Sequence, residues 1–139
     1  MSFTIVIKFS RVFCLTSFFQ AFKELKFDRS NCNLIFINNT ENGAITGAAL
    51  SYLTSNSQYF KSLHIIQTNN PNFERGDTKN FIDVPHPFTT WTSYYSFQMQ
   101  KIIKDLVQDD IHIQLEDDSL PASNSITHLL KIMEDHKYC

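Results

Sequence analysis

The 139-residue chain is 42% apolar and carries 12 basic and 14 acidic side chains, for a net charge of -2, which suits one soluble globular domain, residues 1–139, with a real core. The basic residues are scattered, which excludes the electrostatic stripe of a nucleic-acid binder, and no run of about 18 apolar residues offers a membrane span. Three cysteines (Cys14, Cys32, Cys139) lack zinc or disulfide spacing, and the apolar N-terminus is interrupted by Lys8 and Arg11 instead of being led by a basic region, so a reducing, cytoplasmic setting without a signal peptide is expected.

The run "FTIVIKF", residues 3–9, combines β-branched and aromatic residues and predicts a first strand buried on both faces. The period then changes. Ser10 serves as an N-cap, and Val12, Leu15, Phe18, Phe19, Phe22 and Leu25 recur at spacings of three and four, with Lys23, Glu24 and Lys26 on the wet side of an amphipathic helix. "LIFIN", residues 34–38, predicts a second buried strand, stopped by the polar "NNTENG". Alanines and leucines at helical spacing predict a helix from Ala44 to about Ser55, and "SLHIIQT", residues 62–68, a third strand.

The following polar segment of about 22 residues lacks periodicity, as functional loops do. A helical pattern returns over residues 91–107 through Tyr94, Tyr95, Met99, Ile102, Ile103 and Leu106, and "IHIQL", residues 111–115, predicts a last buried strand followed by an amphipathic tail. Alternating strands and helices of this kind imply a mostly parallel α/β sheet covered on both faces. Ligands of such sheets bind beyond the carboxyl ends of the strands, where Ser10, Arg11, Asn38, Asn39, Thr40 and the run Glu116–Asp117–Asp118 all fall.

Three consecutive carboxylates raise one another's pKa unless they are solvated, paired or metal-bound. Hard oxygen ligands suit Mg²⁺ or Mn²⁺, and no nearby His or Cys supplies a dedicated zinc site. In an extended segment Glu116 and Asp118 face one side and Asp117 the other, so the first and third can meet one ligand. A merely solvated strand end accounts for the same run equally well. His64 and His112 lie within strands and read as structural, and Trp91 with Tyr94 and Tyr95 reads as helix packing.

The stretch "FSRVFCLTSFFQAFKELKFDRSNCNLIFINNT", followed much later by "HIQLEDDSLPASNSITHLLKIMED", resembles the N-terminal, nucleotide-sugar-binding half of GT-A glycosyltransferases, especially family 2-like members. The resemblance implies a GT-A, Rossmann-like sheet and sugar transfer from a nucleotide-diphosphate sugar donor to an acceptor, assisted by Mn²⁺ or Mg²⁺. By position in the D-x-D-like motif it makes Asp118 a metal ligand, with Glu116 a second, while Glu116 and Asp117 contact ribose, sugar or metal waters. Asn39 stands where the family often has an aspartate contacting the nucleoside, and Ser10 and Arg11 occupy the loop bordering the base. Glu116 and Asn39 each replace an aspartate usual in the family. The resemblance covers no acceptor-binding half and supplies no catalytic base, so an incomplete domain with one uncovered sheet edge or apolar face, prone to self-association, is expected.

Two other classes use the same residues. One is a non-catalytic module, derived from such an enzyme, that binds a nucleotide or a protein partner. The other is a receiver-like signalling domain, in which an acidic pair binds Mg²⁺, though a receiver places that pair near its beginning and not near residue 117.

Overall fold

The computed structural model describes residues 2–9, 14–38, 43–68, 84–89, 91–116, 119 and 121–136. Among them the chain forms β1 (Phe3–Phe9), α1 (Leu15–Glu24), β2 (Cys32–Asn38), α2 (Gly43–Asn56), β3 (Ser62–Gln67), α3 (Trp91–Leu106), β4 (His112–Glu116) and α4 (Ser125–Asp135), with short 3-10 turns at Arg29–Asn31 and Ser57–Tyr59. The four strands form one parallel sheet in the order β3-β2-β1-β4. The α/β class and the parallel sheet follow the expectation from the alternating pattern.

Strand alternation decides which helix packs where. Phe3, Ile5, Ile7 and Phe9 of β1 share a face with Leu34 and Phe36 of β2, and this face is covered by Phe18 and Phe22 of α1, Ile45, Ala49 and Tyr52 of α2, and Ile126 of α4. Val6, Ile35 and Ile37 point the other way, against Met99 and Ile103 of α3. The larger face is rich in rings: Phe9 lies edge-on to Phe18 at 4.8 Å and stacks on Phe36 at 5.8 Å, and Phe18 stacks on Phe22 at 5.7 Å. Each fully buried side chain of this kind contributes roughly 1.5–3 kcal/mol through burial, and ring pairing adds about 0.5–1.5 kcal/mol.

Several boundaries differ from the sequence expectation. The helix expected from a Ser10 cap has Cys14 as its N-cap, without a side-chain cap hydrogen bond, so packing of Phe18 and Phe22 holds its first turns where a cap was anticipated. Ser10 itself lies outside the described residues. β2 starts two residues earlier than the apolar run, because Cys32 and Asn33 are already in register with Phe3 and Thr4. The last strand is an edge strand, not a buried one: of its five residues only Leu115 is buried, at 6% exposure. It also runs one residue further than expected and includes Glu116. On α3, Leu106 is exposed and the neighbouring Val107 packs instead. Tyr94 and Tyr95 are half-buried in contact with each other, and Tyr94 also meets Phe88. α4 buries Ile126 and leaves Leu129, Ile132 and Met133 in solvent.

At the amino end of the sheet one carboxylate ties distant segments together. Asp109 Oδ2 accepts hydrogen bonds from the Thr4 hydroxyl (2.7 Å) and the Asn33 amide (2.8 Å), and Asn33 Oδ1 in turn accepts from Ser62 (2.5 Å). The α3–β4 turn is thereby anchored to β1, β2 and β3. Since Thr4 is only 1% exposed, Asp109→Ala strands a buried hydroxyl and is expected to lower folding stability by about 2 kcal/mol, read as a lower urea midpoint at unchanged slope.

Candidate functional site

The carboxyl end of the sheet is built from four strand ends held at one level by register. Phe9 pairs with Asn38, Asn38 with Gln67, and Lys8 with Glu116. β1 leads through α1 to β2 on one side, whereas its other neighbour, β4, arrives through α3 on the opposite face of the sheet. The chain therefore reverses its direction of travel between β1 and β4. At such a topological switch the two flanking connections diverge and leave a crevice beyond the strand ends.

The β2–β3 side of this end carries a polar network. Asn38, 2% exposed, donates from Nδ2 to Gln67 Oε1 (2.9 Å) and to Thr46 Oγ1 (3.1 Å), and Thr46 donates to the same Gln67 oxygen (2.9 Å). The backbone N–H and hydroxyl of Thr68 both donate to the Asn38 carbonyl (2.9 and 3.1 Å). A buried amide without such partners would carry a large desolvation cost. The network thus ties the ends of β2 and β3 to the first turn of α2.

The β1–β4 side is charged and open. Thr4, Val6 and Lys8 face α3, as do their register partners His112, Gln114 and Glu116. Lys8 Nζ lies 3.8 Å from Glu116 Oε1, with the lysine side chain 22% and the glutamate side chain 61% exposed. Below this pair Gln114 and Gln100 of α3 exchange amide hydrogen bonds at 3.1 and 3.2 Å, and Gln114 Nε2 is 3.2 Å from His112 Nε2. A shallow groove of about 240 Å³ between α3 and β4 is lined by Gln100, Ile103, Lys104, Val107 and His112. It lies toward the amino end of β4, away from the switch point.

Of the residues expected in the site, Glu116 is described: it is the last residue of β4, on the α3 face and largely in solvent. Ser10 and Arg11, which follow β1 in sequence, Asn39, which follows β2, and Asp117 and Asp118, which follow Glu116, lie outside the described residues. Sequence reading missed Lys8 as the counter-charge of Glu116. The available signal was a lysine placed next to last in a strand whose other members are all apolar or Thr, a position that calls for an anionic partner. Gln67 and Thr46 were likewise missed as the partners of Asn38.

Among the described residues no group of three His, Cys, Asp or Glu side chains could hold a metal ion. The exposed carboxylate of Glu116, directly continued in sequence by two aspartates, is nonetheless the hard-oxygen donor chemistry that Mg²⁺ and Mn²⁺ prefer. Cys32 offers no alternative chemistry. It is fully buried, and desolvation pushes its thiol up to about 12 from an ordinary 9.0, partly offset by a backbone hydrogen bond from Ile5 and by Arg29. No described helix is long and apolar enough to cross a membrane.

No protein-family model and no curated protein matches the chain. Solved structures do. The crystal structure of S. aureus TarS 1-349 superposes with a TM-score of 0.61 at 7% identity, covering 99% of this chain and 33% of that one. A second crystal structure of S. aureus TarS gives a TM-score of 0.61 at 6% identity, covering 99% of this chain and 20% of that one. This chain thus spans a third or less of the length of these neighbours. TarS is a GT-A-type glycosyltransferase, and the likeness is one of fold alone: this chain shares a parallel, Rossmann-like α/β sheet with those structures.

Because the Lys8–Glu116 pair is long and its carboxylate exposed, Glu116→Gln is expected to change folding stability by less than about 0.5 kcal/mol, with an unaltered urea midpoint as the check. The Cys32 thiol stays protonated in the native chain at pH values where it ionises in the unfolded one. Ionisation therefore favours unfolding, and the contribution of Cys32 to stability is present below pH 9 and is lost as pH rises toward 12. In a Cys14→Ser/Cys139→Ser variant, native Cys32 is expected to resist a thiol reagent at pH 8 and to react fully once urea unfolds the chain.

Proposed function

We propose that the crevice between β1 and β4 binds the nucleotide-diphosphate portion of a sugar donor, and that the chain serves sugar transfer from that donor. The observation that carries this reading is the exposed Glu116 carboxylate at the switch point of a glycosyltransferase-like sheet, continued in sequence by Asp117 and Asp118. Glu116 and Asp118 are the groups that would hold Mg²⁺ or Mn²⁺, with Asp117 toward the sugar or ribose. Ser10, Arg11 and Asn39, which follow the ends of β1 and β2, are the proposed nucleoside contacts. The metal, when bound, supplies positive charge against the donor diphosphate and so eases departure of the nucleotide.

The chain's own contribution is orientation. The Asn38–Gln67–Thr46 network fixes the ends of β2 and β3. β4 delivers the acidic run beside β1 because register pairs Glu116 with Lys8. The same reading accounts for the absence of a catalytic base from the set of assigned residues: the TarS structures are at least three times longer than the part this chain matches, and donor binding alone requires no base.

Calorimetric titration of UDP and GDP tests the proposal. Binding is expected in Mn²⁺ or Mg²⁺ and is expected to weaken sharply on chelation. Asp118→Asn should keep the fold and lose most of the metal-dependent part, a charge-assisted contact worth roughly 1.5–3 kcal/mol. Equal affinity with and without metal, or a fully binding Asp118→Asn variant, would return the acidic run to a solvated strand end. Nucleotide binding without any sugar transfer would favour the non-catalytic module.

A further inference from the structure

We infer that the α3–β4 groove, together with the free edge of β4 beside it, is a docking surface for an extended peptide segment of a partner protein, one in which acidic and apolar side chains alternate. The inference goes beyond the donor-binding reading and does not rest on it. The groove and the edge residues His112 and Gln114 lie below the switch point.

Backbone geometry decides which groups of β4 are free. The Thr4 N–H donates to the Ile111 carbonyl at 3.1 Å, and the parallel register pairs Thr4 with His112. Ile111, Ile113 and Leu115 therefore turn their backbone groups toward β1, and His112, Gln114 and Glu116 turn theirs outward. Ser119 closes the carboxyl end of this edge, where its N–H donates to the Glu116 carbonyl at 3.4 Å in an antiparallel bridge. Among the described residues no backbone group pairs with the outward N–H and C=O of His112 and Gln114. Such a row is a template for one more strand, and strand addition is a recurring mode of peptide capture.

The side chains around the edge determine what that strand must carry. On the α3 face, the groove of about 240 Å³ joins the apolar Ile103 and Val107 to Gln100, Lys104 and His112. Pockets for drug-sized ligands span roughly 300–1,000 Å³, so this one suits a side chain better than a whole small molecule. Among the described residues Lys104 makes no ion pair. The Gln114 amide nitrogen, which donates to Gln100 Oε1, lies 3.2 Å from His112 Nε2. An amide nitrogen only donates, so Nε2 accepts and the neutral imidazole carries its proton on Nδ1. A cation and an imidazole N–H beside an apolar surface fit a carboxylate on a short methylene stem, which is the side chain of Glu or Asp. On the other face of β4, Ile111 and Ile113 are only partly buried against the aromatic core, and apolar residues of an added strand would extend that surface. Alternate residues of a strand face opposite sides, so one strand meets both demands when acidic and apolar residues alternate. A second copy of β4 fits less well: antiparallel pairing along its length sets His112 against Glu116 of the copy, whose outward carbonyl Ser119 already holds.

The test uses the full chain and the peptide Ac-Val-Glu-Val-Glu-Val-NH2, followed by calorimetry and by the backbone amide NMR signals of His112 and Gln114. Binding is expected, with both signals shifted and their hydrogen exchange slowed. Lys104 is exposed and outside the core, so Lys104→Glu should fold normally. It is expected to weaken this peptide about tenfold and to admit Ac-Val-Lys-Val-Lys-Val-NH2, which the unaltered chain should bind about tenfold less tightly than the acidic peptide. Methylation of the peptide's backbone nitrogens should abolish binding, because it removes the ladder donors.

A reversed charge preference together with loss on methylation supports the proposal, since a damaged fold cannot exchange one preference for the other. Binding that survives methylation makes the groove a carboxylate site without strand addition and overturns it, as does equal binding of the acidic and basic peptides. If neither peptide binds, the edge captures no such segment and the proposal fails. If sedimentation without peptide shows dimers in which the His112 and Gln114 amides are protected, the edge belongs to a second copy and the proposal is likewise overturned.

Discussion

Burial of β1 on both faces is the constraint on which the rest of the molecule depends. Ile5, Val6, Ile7 and Phe9 are completely inaccessible, and the strand is hydrogen-bonded along both edges, to β2 and to β4. A strand in this position can have no solvent side, so its two neighbours must arrive by crossovers that cover opposite faces. α1 and α2 carry the chain outward through β2 to β3 on one face. α3 brings it back over the other, to β4. The switch point at the end of β1 is thus not a separate feature added to the fold. It is the geometric consequence of making the first strand central.

The two faces are not equivalent, and the asymmetry shapes the site. Three helices and a set of interlocked phenylalanines cover one face, where Phe9, Phe18, Phe19 and Phe36 lie within 6 Å of one another in most pairs. Among the described residues α3 alone covers the other, through the smaller cluster of Val6, Ile35, Ile37, Met99 and Ile103. One helix cannot cover four strands. Along β4 its coverage gives way to amide pairs and an open groove, and at the end of β1 it leaves Lys8 only half-buried. Polar chemistry on the α3 face is therefore possible where the aromatic face would exclude it.

Much of this was legible in the sequence. β1 was read with its observed bounds because "FTIVIKF" has no alternative period, and the helical stripes of α1 and α3 follow from apolar spacing that packing preserves, with Phe18, Phe22, Met99 and Ile103 buried. What was not legible depends on pairs distant in the chain. Asp109 bonds to Thr4 across 105 positions, and Glu116 meets Lys8 only after β4 has docked in register with β1. No local period encodes such pairs. The last strand was read as buried for a related reason: Ile111, Ile113 and Leu115 alternate as they would in any half-covered strand, and whether a further strand lies beyond it is not a local property. The acidic run was legible as chemistry and illegible as geometry, since its first member belongs to the strand and has a counter-charge of its own.

Two polar arrangements at the same sheet end show how structural and functional polarity differ. The Asn38 network is neutral and centred on a buried amide, whose Nδ2 donates to Gln67 and Thr46 while Thr46 donates to the same Gln67 oxygen. Opening it to bind a ligand would cost the hydrogen bonds that fix β2 and β3. The Lys8–Glu116 pair is charged and long, with the lysine mostly covered and the carboxylate largely in solvent, so Glu116 can turn toward a further ion at small structural cost. Identity of 6–7% to the TarS structures means that backbone topology, not side-chain pattern, is what the two share. Topology brings strand ends together but does not choose which of them carry charge. That choice is made by the side chains, and at the β1–β4 edge the charge falls on Lys8 and Glu116.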